Sequence, residues 1–159
     1  QMFYLLGKTY DKLQTFVPVQ EYQIDHYKNR FLKYINPGFI KCVTDENDEL
    51  VAFAITMPSF SNALKKINGK VDFIGKLRLL HAKNFNHKGS LYLIGVRPDF
   101  QNKGVIAILF NELQKFYNKF GITEVETNPE LIENTAIQQL WKNYENNQHK
   151  NRATFTKVL

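Results

Sequence analysis

The stretch SLYLIGVRPDFQNKGVIAILFNELQKFYNKF, residues 90–120, constrains the fold more than any other part of the chain. It opens on SLYLIGV, a short run apolar on both faces, which is the pattern of a central strand covered by helices on each side. Val105, Leu109, Leu113, Phe116 and Phe120 then recur at helical spacing until Gly121 ends the run. Between strand and helix stands a short turn carrying Pro98, Asp99, Gln101 and Gly104. A strand that turns directly into a helix leaves the first helical N–H groups without carbonyl partners. Their partial positive charge attracts an anion.

The rest of the chain supplies layers around that unit. Leu6, Tyr10, Leu13 and Val17 recur at helical spacing and stop at Pro18. Ile24, Tyr27, Phe31 and Tyr34 form a second such set, ended by NPG at residues 36–38, so two amphipathic helices come first. FIKCVTDENDELVAFAITM reads as a hairpin turning at residues 45–49. Residues 58–89 are less regular and are expected to be helical around 62–67 and 73–81, with Ser61 and Asn62 as caps. ITEVET is a short strand, a helix follows through Asn134, Ile137, Leu140, Trp141 and Tyr144, and RATFTKVL is expected as a terminal strand. The alternation predicts an α/β fold, a mixed central sheet flanked by helices, in a single domain spanning 1–159.

Composition narrows the function classes. No apolar run is long enough to span a bilayer, so a membrane is not among the expected partners. The single cysteine, Cys42, excludes an internal disulfide and a cysteine-based zinc cluster, and it reads as an inert core thiol in a reducing cytoplasm. His26, His81, His87 and His149 show no metal-ligand spacing, so no metal is expected. The net charge of +6 is spread without a basic run of five. It therefore favours solubility or attraction of a small anion over nucleic-acid binding. The chain opens on Gln rather than Met, which raises the expectation of a longer parent protein with another domain.

On these residues the chain resembles the GNAT superfamily of acyl-CoA-dependent N-acyltransferases. The likeness rests on element order and on V-x-P-x-x-Q-x-x-G, carried by Val96, Pro98, Gln101 and Gly104. It implies acetyl-CoA or another acyl-CoA as co-substrate. The backbone at Gln101, Asn102, Lys103, Gly104, Val105 and Ile106 would hold the pyrophosphate, and Lys103 would add a charge. Ile94 and Val96 would pair with the pantetheine arm, and an amide near Gly95 would face the thioester carbonyl as an oxyanion donor. The acceptor would be a small-molecule amine or a protein or peptide amine. Ile106 and Asn102 depart from the family pattern, which prefers small residues there.

The resemblance continues into the last helix, where Asn134 matches a cofactor contact. Trp141 stands where the family has a tyrosine that protonates the leaving thiolate, and Tyr144, one turn later, is the substitute. Glu124 and Glu126 share a strand face, and Glu126, nearer the strand's C-terminal end, is the expected aid to deprotonating the amine. Two features set this chain apart: no strand precedes the first helix, and a basic insert of about thirty residues replaces the tight turn usual between the third and fourth strands. The insert is expected to form a lid or wall of the acceptor pocket. The rival readings are a non-catalytic module that keeps the fold, and a transferase whose donor is an aminoacyl-tRNA.

Overall fold

A tight turn built by one carboxylate starts the sheet. In the computed structural model, which describes residues 1–11, 17–30, 35–153, 155 and 157, the Asp45 side chain accepts the amides of Asn47 (3.0 Å) and Glu49 (3.1 Å). That local loop closes the hairpin between β1 (Ile40–Thr44) and β2 (Leu50–Pro58), which pair antiparallel with Ile40 opposite Ile55. β3 (Lys88–Val96) pairs antiparallel with β2 on its other side, Ala52 opposite Val96 and Pro58 opposite Gly89. β4 (Glu124–Thr127) completes the order β1-β2-β3-β4. Its pairing advances with β3, Glu124 beside Lys88 and Val125 beside Gly89, which is the parallel sense, so the sheet is mixed as expected.

The alternation along β2 assigns the two faces. Phe53 and Ile55 pack against Leu5 and Leu6 of α1 (Met2–Tyr10). Thr56, one residue out of phase, donates its hydroxyl to Phe39 O (2.9 Å). The Phe39 ring meets Phe116 of α5 (Val105–Phe120) edge-on at 4.8 Å. Leu109 and Leu113 of α5 are fully buried on that side. A strand buried on both faces between helices is what the β2 and β3 sequences require.

Two helices, α3 (Ser61–Lys66) and α4 (Phe73–Asn84), fill the insert between β2 and β3, close to the expected spans. The expected caps are not the ones used. α3 starts after Phe60 with no side-chain cap, whereas Asp72 caps α4 by accepting the Gly75 amide at 2.7 Å. α2 (Glu21–Arg30) occupies the second helical stretch. Val17 is described and not helical, and Leu13, Phe31 and Tyr34 lie outside the described residues.

The chain divides into two compact units, Gln1–Glu126 and Thr127–Leu159. The second holds α6 (Thr135–Trp141), where Trp141 Nε1 donates to Glu130 Oε1 at 2.8 Å. The terminal strand expected over 152–159 falls partly outside the described residues, and those described there, Arg152, Ala153, Phe155 and Lys157, carry no strand.

Candidate functional site

The turn after β3 is anchored at its first residue. The Arg97 guanidinium reaches Asp99 (2.9 Å), Glu49 (3.1 Å) and Asp45 (3.2 Å), and its amide donates to Val51 O at 2.8 Å. Burial works to raise the Asp45 pKa, but the amides of Glu49 and Asn47 and the Arg97 charge outweigh it and hold the carboxyl below its ordinary value. A single turn of 3-10 helix, Pro98–Phe100, follows, closed by Phe100 N to Arg97 O (2.8 Å) and Gln101 N to Pro98 O (3.3 Å). The Phe100 ring lies beneath both Arg97 and Lys103, at 4.5 and 5.2 Å.

From there the backbone changes hand. Asn102 has φ +61° and Gly104 φ +76°, both in the left-handed region. A Cβ at Gly104 would meet nothing within 4 Å, so glycine serves the dihedral and not the space. Gly104 O accepts the amides of Ala107 (3.0 Å) and Ile108 (3.3 Å), which starts α5. The amides of residues 102–106 make no close, well-aligned hydrogen bond among the described residues. A run of free N–H groups at the start of a sixteen-residue helix is a ready anion cradle. Two expected members differ from the rest. The Gln101 amide is spent on Pro98 O, and its side chain instead donates Nε2 to Val96 O at 3.3 Å, bracing the loop. Ile106 is half-buried, while Val105 is buried in the core.

Beyond the reach of β4, β3 leads into this cradle with one edge that no strand pairs among the described residues. Ile55 faces Leu93 but Thr56 faces Leu91, so Tyr92 is an extra, bulged residue. β4 starts beside the start of β3, where Thr123 and Glu124 both donate their amides to His87 O. With four residues against nine, β4 ends before it can follow β3 to Val96. The edge beyond the bulge can be assigned by parity. Arg97 N points to β2, so Gly95 points there too, and Ile94 and Val96 present their N–H and C=O groups to the open side. Gly95 therefore turns its N–H and C=O to β2, and a Cβ on it would come within 2.7 Å of Cε1 of Phe53, its same-face cross-strand neighbour. The amides available to an oxyanion are those of its two neighbours.

Tyr10, counted in the sequence only as a core position of α1, reaches this edge and donates Oη to Ile94 O at 3.0 Å. Burial pushes its phenol up, against a smaller opposing effect of that hydrogen bond. Helical spacing marks aromatic residues as core whether or not their polar ends find work, so nothing in the pattern distinguished this tyrosine.

The remaining expected residues lie on β4 and in the second unit. Glu124 pairs with Lys88 at the surface, and Glu126 is half-buried near the end of β4. Asn134 is the N-cap residue of α6 without a side-chain cap bond, and Tyr144 stacks edge-on to Trp141 at 6.3 Å, both within the second unit. Cys42 is not the core thiol expected, because β1 is the sheet edge and leaves it exposed. Two surface cavities, about 400 Å³ beside β1 and α5 and about 250 Å³ in the insert, include no residue of 94–106. The insert leaves β2 at Pro58 and rejoins at Lys88, the end of β3 opposite the amide cradle and roughly 26 Å from it at about 3.3 Å per residue.

Comparison with known proteins agrees with the fold. The family model described as Acetyltransferase (GNAT) family matches residues 8–144. Among solved structures, an aminoglycoside acetyltransferase, meta-AAC0020, from an uncultured soil metagenomic sample, in complex with sisomicin, is 12% identical with a TM-score of 0.54. The match covers 99% of this chain and 88% of that one. The 6'-N-acetyltransferase AAC(6')-IG of Acinetobacter haemolyticus is 13% identical with a TM-score of 0.56, covering 98% and 94%. AAC(6')-Iy, in complex with the bisubstrate analog CoA-S-monomethyl-acetylneamine, is 14% identical with a TM-score of 0.54, covering 99% and 92%. No curated protein matches the chain in sequence.

Proposed function

This chain belongs to the GNAT acetyltransferase family, and from that premise we propose that it transfers an acyl group from acyl-CoA to a primary amine by direct attack. The observation that carries the reading is the run of amides at 102–106 with no close hydrogen bond among the described residues, an arrangement that suits a diphosphate. Bound there, acyl-CoA would supply the acyl group as an activated thioester. The chain's own residues do the rest. The cradle amides and Lys103 hold the diphosphate, and the open-edge groups of Ile94 and Val96 align the pantetheine arm. An open-edge amide of the same pair offers a hydrogen bond to the thioester oxygen as charge develops on it.

Two proton transfers need side chains. Glu126 takes the proton that the acceptor amine must lose before it attacks, directly or through water. Tyr10 Oη, held on the open edge by its bond to Ile94 O, gives a proton to the leaving sulfur. Tyr144 is the alternative donor, because Trp141, whose indole is no acid near neutral pH, occupies the tyrosine position of the family.

A thiol-release assay with acetyl-CoA and a panel of small amines and peptides tests the proposal. Thiol release that depends on the amine supports it. Calorimetric binding of CoA with no turnover on any amine would replace it with the non-catalytic module, and competition by tRNA but not CoA would point to an aminoacyl-tRNA donor.

A further inference from the structure

We propose that the insert, residues 59–87, docks this protein on an anionic membrane surface, with α4 lying along it. The helix is built inside out. Gly75 and Ala82 are its buried residues and Leu79 is half-buried, so it packs by its small side chains. Phe73, Leu77 and Leu80, spaced to share the opposite face, are 76%, 51% and 55% exposed, and the adjoining Ile74 and Phe85 are 59% and 71% exposed. A helix that serves only a protein core shows the reverse order. So contiguous an apolar stripe marks a contact.

Charge identifies what it contacts. Six basic residues against one acid give the insert +5 of the chain's +6, and the one acid, Asp72, is occupied as the α4 cap. Lys76 and Lys83 lie together along one flank of the apolar stripe, by helical spacing, and Arg78 along the other. Arg78, which donates Nη1 to Lys66 O at 3.0 Å, also lines a pocket of about 250 Å³ with Lys66, Lys70 and the capping Asp72, three cations against one carboxylate, and the exposed Ile74 forms part of the same wall. A basic pocket continuous with an apolar helix face suits an anionic headgroup and its acyl chains together. A second copy of this chain fits poorly, since a symmetric contact sets +5 against +5. Nucleic acid would leave the phenylalanine and leucines without partners. No described helix is long and apolar enough to cross a membrane, and a surface contact needs none. The sequence-based expectation that a membrane is not a partner rested on the lack of a spanning run, and the proposal departs from it. The proposal stands independently of acyl transfer.

Vesicle flotation with the full chain tests it. The protein should float with vesicles of equimolar phosphatidylcholine and phosphatidylglycerol, stay behind with phosphatidylcholine alone, and release as salt rises. Leu77→Glu with Leu80→Glu, both at solvent, should weaken partitioning about tenfold or more while circular dichroism stays native. Lys76→Gln with Lys83→Gln should weaken it roughly fivefold per lysine. Failure of the wild type to float, equal partitioning onto neutral vesicles, or an unchanged leucine variant would overturn the proposal. So would a protein that binds polyglutamate, or self-associates through the leucines, without binding vesicles.

Discussion

Arg97 Nη2 lies 3.2 Å from Asp45 Oδ2, which ties the first residue of the turn leading into the amide cradle to the turn of the β1–β2 hairpin. The two side chains are only 20% and 16% exposed, so the pair is shielded from water and salt better than a surface pair. Two segments far apart in sequence are thereby held in one geometry. The pair also makes a pH prediction. The folded-state pKa of Asp45 is lowered, so the unfolded chain binds the proton more readily. The pair's contribution to stability is complete above the ordinary aspartate pKa of about 3.9 and is lost as pH falls through the lower folded value. Melting curves of wild type and Asp45→Asn should differ by a constant amount from mildly acidic to neutral pH and converge below about pH 4. A difference that persists undiminished in acid would assign it to the turn's neutral hydrogen bonds alone.

Gly104 makes a second prediction, because its requirement is for a dihedral and not for room. Gly104→Ala should destabilise the chain by about 1–2 kcal/mol and weaken CoA binding, whereas Gly104→Asn, a residue that tolerates the left-handed region, should cost less. Denaturant titration and calorimetry read both. Equal losses for the two variants would point to a steric contact there.

At Gly95 the requirement is the opposite one. A methyl group would meet Phe53 Cε1 at 2.7 Å, so Gly95→Ala should cost about 1–3 kcal/mol by overpacking. Phe53→Leu in the same chain should recover part of that loss, giving a double-mutant coupling that separates a packing role from a role for the Gly95 amide.

The proton-transfer assignments separate by kinetics. Tyr10→Phe should lower kcat about tenfold or more with little change in KM for acetyl-CoA, at a stability cost of about 1 kcal/mol for the bond lost to Ile94 O. Glu126→Gln should lower kcat and remove the acidic limb of its pH profile. If Tyr144→Phe has the kcat effect and Tyr10→Phe has none, the donor is Tyr144.

The strand–turn–helix core was legible because its signals are local. Apolar continuity, Pro98, a left-handed glycine and helical spacing each act within a few residues, and the free amides follow from their order. Tyr10, Arg97 and Gly95 were not legible in the same way. Their roles depend on partners such as Ile94, Asp45 and Phe53, which only the tertiary fold supplies. Cys42 read as core because strand composition does not say which strand is an edge. Phe73, Leu77 and Leu80 stand among lysines in the basic insert, but sequence spacing gives a helix its faces without saying which of them the fold covers.

The account rests on the free amides at 102–106 gripping a diphosphate, and amide chemical shifts in a titration with CoA test this directly. The predicted result is saturable binding whose largest backbone N–H shifts fall on Asn102, Lys103, Gly104, Val105 and Ile106, with smaller ones at Ile94 and Val96. Binding that leaves those amides unmoved, or no binding at all, would contradict it.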